Sequence, residues 1–215
     1  MPLINYYWKI RDYLDSSKKG ISYIASSDGS IYEAWESQIG KMIAKSPSIP
    51  TLDDIQEGFQ FRLPKIPGEM FSQIYSFFKA YCDRLDTEVM LQIFFDTESG
   101  NYFLECPVQY VSKVKVDAVL SQDLLGRNSL RYIQVAQIHS HNSMSAYFSS
   151  TDDADEKAFM IYGVFGLLNT ERPHCKFRVK ANNTAITVPL NTIFQDITLR
   201  IVPFPLEWEK RIIFN

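Results

Sequence analysis

The chain has 215 residues, of which 46% are hydrophobic and 22% are charged, so it can bury a substantial core and is not disordered as a whole. Its formal net charge of −3 argues against a nucleic-acid binder that depends on general phosphate neutralisation. The three cysteines form no C-x-x-C motif, which indicates buried thiols in a reducing compartment. Because we identify no signal peptide and no apolar run of membrane length, we expect a cytoplasmic protein without a membrane partner.

The first part of the chain predicts a small region of its own. Apolar side chains at helical spacing in residues 7–14 predict a short amphipathic helix that ends near Gly20. Two β-prone runs, Ile21–Ile24 and Ile31–Trp35, flank Asp28-Gly29. An Asp-Gly pair between such runs is typical of a hairpin turn, because the turn needs positive φ.

The predicted main domain begins after a connector at residues 46–58. Phe59–Leu63 alternates as a strand does and is followed by a proline, which would end the strand. Gly68–Leu85 is predicted to be a helix whose aromatic stripe packs in the core. Val89–Asp96 is predicted to be a strand with both faces covered, because its apolar run is nearly continuous.

Further strands and one helix follow, and their order indicates the fold class. The predicted elements are strands at Tyr102–Val116 (interrupted at Pro107), Arg131–Ile138 and Met160–Leu168, a loop at Asp117–Leu130, a helix at Asp153–Phe159, and a hairpin of Lys176–Val179 with Ala185–Val188. The sequence therefore predicts an α/β (α+β) protein with a mixed central β-sheet flanked by helices. We expect an N-terminal extension at residues 1–55, a catalytic domain at 56–190 and a C-terminal extension at 191–215.

Two histidines and an aspartate form a candidate metal site. His139 and His141 end a predicted strand, so their side chains project to the same face, about 6–7 Å apart at their α-carbons. Two imidazoles in this arrangement can hold one zinc ion, and a catalytic zinc usually has a third protein ligand and an open position. Asp152, at a predicted helix start after a short loop, suits the third ligand position. Glu88, a lone carboxylate at the head of a buried strand, suits the role of general base.

Each residue of this site also has an ordinary structural explanation. Ser149 and Asp152 have the spacing of a helix N-cap and its reciprocal partner in a capping box. A His-x-His pair often occurs by chance, and Glu88 alone is explained as a polar residue that leaves a helix. The residue patterns by themselves leave both capping and metal binding open for this segment.

Taken together, these residues resemble the motif of the JAMM (MPN-plus, JAB-type) zinc metalloproteases. That motif is a distant Glu, then His-x-His, seven residues, and Ser-x-x-Asp. The chain has Glu88, His139-Ser140-His141, the seven residues from Asn142 to Phe148, and Ser149 followed by Asp152 at the required spacing. The resemblance covers about residues 59–190 in the order of their elements.

The resemblance implies that His139, His141 and Asp152 are zinc ligands. It also implies that Glu88 is the general acid/base for a metal-activated water, and that Ser149 donates a hydrogen bond to the developing oxyanion. The family's fold is a mixed sheet flanked by helices, of the cytidine-deaminase-like kind. Its characterised members cleave peptide or isopeptide bonds in conjugates of ubiquitin-like or sulfur-carrier proteins, so the expected partner is a protein substrate of that class.

Two features depart from the family's pattern. Asn142 stands where the family usually has Pro after the second His, which we expect to change the stiffness of the loop more than the ligand chemistry. We identify no counterpart of the long insertions with which deubiquitinases grip ubiquitin, and residues 1–55 are an extra region able to gate the site or bind a partner. The alternative functions are a non-catalytic MPN-type interaction module and a hydrolase of small amide adducts.

Overall fold

The computed structural model describes residues 3–17, 20–119 and 130–214. The chain divides into two compact units, Met1–Glu57 and Gly58–Asn215, where the sequence placed a domain edge after residue 55. Residues 191–215, predicted to be a C-terminal extension that packs on the domain, belong to the second unit. Most of the loop predicted at Asp117–Leu130 lies outside the described residues.

The first unit is a four-stranded sheet with one short helix. Its elements are β1 Ile4–Tyr7, α1 Ile10–Leu14, β2 Ile21–Ala25, β3 Ile31–Ser37 and β4 Gly40–Lys45. The strand order is β1-β2-β3-β4, with β1 parallel to β2 and the other pairs antiparallel. The predicted hairpin is confirmed as β2 and β3, and Gly29 in its turn has a φ of 77°.

Two predictions for this unit need correction. The helix expected from about residue 7 to near Gly20 covers only Ile10–Leu14, because Tyr7 belongs to β1, which pairs with β2. The strand β4 was not predicted, since all six of its residues are exposed and give no buried pattern. Both β1 and β4 are stabilised by pairing with a neighbouring strand, and the local strand propensity of a sequence does not predict that pairing.

The second unit is built on a mixed sheet, as the sequence predicts. Its strands are β5 Met90–Asp96, β6 Asn101–Glu105, β7 Gln109–Ser112, β8 Lys115–Ala118, β9 Tyr132–Ser140, β10 Met160–Gly166, β11 His174–Ala181, β12 Thr184–Thr187 and β13 Ile212–Phe214. The main sheet has six strands in the order β12-β11-β10-β9-β5-β6, with β9 parallel to β10 and the other pairs antiparallel. A second sheet has the order β13-β7-β8.

Within the described residues, the helices of this unit are α2 Gly68–Leu85, α3 Ser150–Asp155, α4 Leu190–Ile193 and the 3-10 helix Leu206–Arg211. The helix α2 has the predicted bounds and buries its aromatic stripe; the ring of Phe71, for example, lies 5.2 Å from that of Phe165 on β10. All seven residues of β5 are buried, which confirms that both of its faces are covered. The helix α3 begins where a helix start was expected but ends before Phe159. None of the helices in the described ranges has both the length and the apolar character to cross a bilayer.

Two strand predictions for this unit are wrong. Tyr102–Val116 is not one strand but is divided between two sheets, because the chain leaves β6 before Pro107 and then forms the β7–β8 hairpin. Phe59–Leu63 pairs with no strand among the described residues, and its apolar side chains pack against the main core. Its alternating pattern therefore reflects packing of an extended segment and not strand pairing.

Candidate metal centre

The end of β9 and the residue after it bring two imidazoles together. The strand includes His139 and ends at Ser140, two residues later than predicted, and His141 follows directly. Ser140 makes two bonds to Val89, since its N–H donates to the Val89 carbonyl oxygen over 2.9 Å and its hydroxyl oxygen accepts from the Val89 N–H over 3.0 Å. The N–H of His141 donates to the carbonyl oxygen of Phe165 over 2.6 Å. The histidines are thus held from β5 on one side and from β10 on the other.

The loop after His141 lies against the end of β10. The N–H of Leu168 donates to the carbonyl oxygen of Asn142 over 2.9 Å. Gly166 is required beside this loop, because a Cβ there would lie 2.3 Å from the carbonyl oxygen of Met144. The loop therefore follows a fixed path from the histidines back to α3.

Three ligand atoms from different residues converge at this point. Nε2 of His139 lies 3.2 Å from Nε2 of His141 and 3.4 Å from Oδ1 of Asp152. All three atoms lie within 4.8 Å of one another. Donor atoms that surround a tetrahedral zinc at about 2.0–2.1 Å are themselves about 3.3 Å apart, so the two measured distances suit a single ion. His139, His141 and Asp152 therefore form a cluster that can hold a metal ion.

Asp152 combines the two roles that its sequence position left open. Its Oδ2 accepts hydrogen bonds from the backbone N–H and the hydroxyl of Ser149 over 2.6 and 2.7 Å. Its own N–H donates to the Ser149 hydroxyl oxygen over 3.2 Å, which completes a capping box at the start of α3. Oδ1 is the oxygen that faces His139. One carboxylate thus caps the helix with one oxygen and leaves the other for a metal.

Burial favours the neutral form of both imidazoles. It is the main cause that lowers the pKa of His139, with Asp152 acting in the opposite direction and His141 adding to the decrease. Burial likewise lowers the pKa of His141. Neutral imidazole is the form that binds a metal, so at neutral pH neither ring has to lose a proton before it serves as a ligand.

Glu88 lies in the same cleft as these three residues. Its backbone N–H donates to the carbonyl oxygen of Ser112 over 3.0 Å, which fixes it between β7 and the start of β5. Its side chain is buried, and this burial, followed by the charge of Asp152, raises the pKa of Glu88 to about 8. A carboxyl group that exchanges its proton near neutral pH suits a general acid/base.

The cleft has a volume of about 530 Å³ and is bounded by the β7–β8 hairpin on one side. The ring of Tyr147 packs edge-on against that of His141, with 4.8 Å between their centroids. The residues that the sequence singled out all line this cleft: Glu88, His139, His141, Ser149 and Asp152. The hydroxyl of Ser149 donates to Asp152, so it would have to rotate before it could donate to an oxyanion.

Two groups of residues that shape this cleft were not predicted from the sequence. Arg178 and Lys180 lie buried on β11 and contact α3, and Asn142 contacts the β7–β8 hairpin. A signal existed for the first group, because residues two apart on a strand share a face and an acidic run at Asp152–Glu156 offers them partners. No comparable signal existed for Asn142, whose contact depends on a hairpin that the sequence did not reveal.

No family model matches the chain, and no curated protein matches it. Among solved structures, it is similar to the solution structure of protein DSY2949 from Desulfitobacterium hafniense, with a TM-score of 0.38 and 13% sequence identity. That similarity covers 64% of this chain and 93% of the other. The functional assignment therefore depends on the chemistry of the cleft.

Proposed function

We propose that the protein is a zinc-dependent hydrolase that cleaves peptide or isopeptide bonds. The observation that carries this proposal is the convergence of two imidazole nitrogens and Oδ1 of Asp152 in a cleft that also holds the buried carboxyl group of Glu88. Two nitrogens and one carboxylate oxygen form a donor set that suits zinc and leaves a position open for a reactant. When bound, zinc would polarise the scissile carbonyl and make water more acidic.

In this proposal the side chains of the cluster bind the zinc ion, and Ser149 orients the Asp152 carboxylate. His139 and His141 offer their Nε2 atoms in the neutral form, and Asp152 offers Oδ1. The two hydrogen bonds from Ser149 hold Oδ2 and thereby fix the direction of Oδ1. After rotation, the Ser149 hydroxyl would be available to a negatively charged oxygen of the substrate.

Glu88 moves the proton. In the proposed reaction its carboxylate takes a proton from the attacking water, and the resulting acid gives that proton to the leaving amine nitrogen. The pKa of Glu88 is raised to about 8 mainly by burial, and a nearby cation would lower it toward neutral pH. A pKa in this range lets one group act first as a base and then as an acid. None of the described residues that line the cleft is an activated nucleophile, so no covalent intermediate with the protein is proposed.

The shape of the cleft favours a polypeptide substrate over a small amide. The strand β8 is at the outer edge of its sheet among the described residues, and the cleft is lined by Val116 within it and Val114 just before it. An exposed strand edge can pair with an extended segment of another chain, which would then pass the metal cluster. Together with the JAMM-like motif, this geometry supports the C-terminal tail of a ubiquitin-like or sulfur-carrier protein as the substrate segment.

The test is metal analysis of the purified protein followed by hydrolysis of peptide and isopeptide fusions of ubiquitin-like proteins. We expect one zinc per chain, turnover by the wild type, and no turnover by Glu88→Gln with zinc still bound. A protein that binds no divalent metal at micromolar concentration would overturn the proposal. Zinc binding without hydrolysis of any fusion would instead favour the interaction-module alternative.

A further inference from the structure

The helix α3 carries Asp152 but has no apolar anchor. It is six residues long, and none of its residues is buried. A helix this short gains little from its own hydrogen bonds and normally depends on an apolar face packed against the core. The capping box holds its first turn, so other contacts must hold the remainder against the sheet.

Arg178 on β11 supplies such contacts at both ends of the segment. Its Nη1 donates to Oδ1 of Asp153 over 2.6 Å, and its Nε donates to Oε2 of Glu156 over 2.8 Å. The guanidinium also lies 3.8 Å from the ring centroid of Phe148, the residue before Ser149. One buried cation therefore contacts the residue before the capping box and two carboxylates after it.

Lys180, two residues further along β11, holds the end of the same helix. Its ammonium group donates to the carbonyl oxygen of Asp153 over 2.7 Å and to that of Glu156. Carbonyl groups at a helix C-terminus have no partner within the helix, and a cation satisfies both their hydrogen bonding and the helix dipole. Arg178 and Lys180 are only 8% and 4% exposed, so the sheet accepts two buried cations to make these contacts.

We propose that Arg178 is a positioning residue that holds Asp152 and Ser149 close to the two histidines. Lys180 holds the end of the same helix. This inference rests on the metal site of the proposed function and adds a residue that touches no ligand atom of the cluster. The guanidinium fixes the segment on both sides of Asp152, so its loss frees α3 to move relative to β9. The 3.4 Å distance between Oδ1 of Asp152 and Nε2 of His139 would then no longer be held.

The test compares Arg178→Met with the matched variant Arg131→Met. Arg131 makes a similar fork, donating to Asp96 and pairing with Glu98, and its guanidinium lies over the ring of Tyr132. Within the described part of the chain, its hydrogen bonds, ion pairs and ring contact involve no residue of α3. Both substitutions remove a guanidinium and leave an apolar stem, so Arg131→Met measures the effect of losing an ion-pair network away from α3, at a more exposed side chain.

The primary measurement is the zinc dissociation constant, obtained by competition with a chromophoric chelator. We expect Arg178→Met to bind zinc about 10–100-fold more weakly than the wild type, as is usual when a residue that orients a ligand is removed. Arg131→Met should stay within about twofold. The visible spectrum of the cobalt-loaded protein should lose intensity only in Arg178→Met, because a displaced Asp152 raises the coordination number by admitting solvent.

Arg178→Lys keeps the charge and most of the volume, so it serves if the methionine variant does not fold. A lysine cannot reach two carboxylates and a ring at once, so we expect an intermediate zinc affinity and partial recovery of the cobalt spectrum. Wild-type zinc affinity in the folded Arg178 variants would overturn the inference and leave the proposed function intact. Failure of the wild type itself to bind zinc would overturn the proposed function.

Discussion

The side-chain amide of Asn142 donates to the backbone carbonyl oxygen of Lys113 over 3.1 Å and so joins the loop after the histidines to the tip of the β7–β8 hairpin. Asn142 is buried and has a φ of 47°, in the left-handed region. Asp86 provides a second link between this loop and the hairpin. Its carboxylate accepts a hydrogen bond from the Ser143 hydroxyl over 3.1 Å and pairs with the Lys113 ammonium over 2.7 Å. The hairpin wall of the cleft is therefore tied to the loop that connects the two histidines to Asp152.

Asn142→Pro should destabilise the protein by about 3 kcal/mol or more, although proline is the residue that the JAMM-like motif usually has. The proline ring fixes φ near −65°, which is incompatible with the observed 47°, and the substitution also removes the amide that bonds Lys113. Urea denaturation followed by circular dichroism measures the change. Asn142→Gly is the control: it permits positive φ and loses only the amide, so it should cost about 1 kcal/mol. Equal stability of the two variants would contradict the role of the backbone conformation.

Asp152→Asn should weaken zinc binding by about 100-fold or more, because the oxygen that faces His139 loses its charge. The amide can still accept a hydrogen bond from Ser149, so the helix start should remain folded. Isothermal titration calorimetry measures the affinity, and the rise in Tm on adding zinc measures it independently. Asp155→Asn is the control, since Asp155 lies on the same helix and lines the same cleft but is outside the ligand cluster. A similar loss of affinity in both variants would point to general electrostatics instead of ligation.

Ser149→Ala should lower stability by about 1 kcal/mol and weaken zinc binding as well. The hydroxyl oxygen accepts from the N–H of Asp152, and the hydroxyl group donates to Oδ2, so its removal loosens both the helix start and the carboxylate. Ser150→Ala, at the exposed neighbouring position, is the control and should change neither quantity. Loss of hydrolysis with unchanged zinc affinity would mean that Ser149 acts on the substrate alone and does not orient Asp152.

The members of the candidate metal cluster could be predicted because local rules single them out. Alternation at the end of β9 puts His139 and His141 on one face, and capping chemistry puts Asp152 at the start of α3. The residues that hold this cluster in place could not be predicted in the same way. A charged Arg178 on a strand is normally exposed, and its burial against α3 depends on two elements that only the tertiary fold brings together. The β7–β8 hairpin that bounds the cleft was missed for a related reason. Apolar residues on both sides of Pro107 resemble one long strand, although the residues before and after it belong to two different sheets.

Glu88→Gln should stabilise the metal-free protein at high pH while it removes hydrolysis. The pKa of Glu88 is raised from 4.5 to about 8, mainly by burial, so the native state keeps this proton over a range in which the unfolded chain has lost it. The native protein therefore loses stability as the pH rises from about 4.5 to 8, whereas glutamine has no proton to lose. We expect the variant to match the wild type near pH 4.5 and to exceed it by roughly 2 kcal/mol at pH 8, measured by urea denaturation in the presence of a chelator. Glu171→Gln, at an exposed position, should show no such divergence. If the free energies of unfolding of Glu88→Gln and the wild type depend on pH in the same way, Glu88 is already ionised in the folded protein. That result would contradict the role of Glu88 as the buried proton carrier of the proposed reaction.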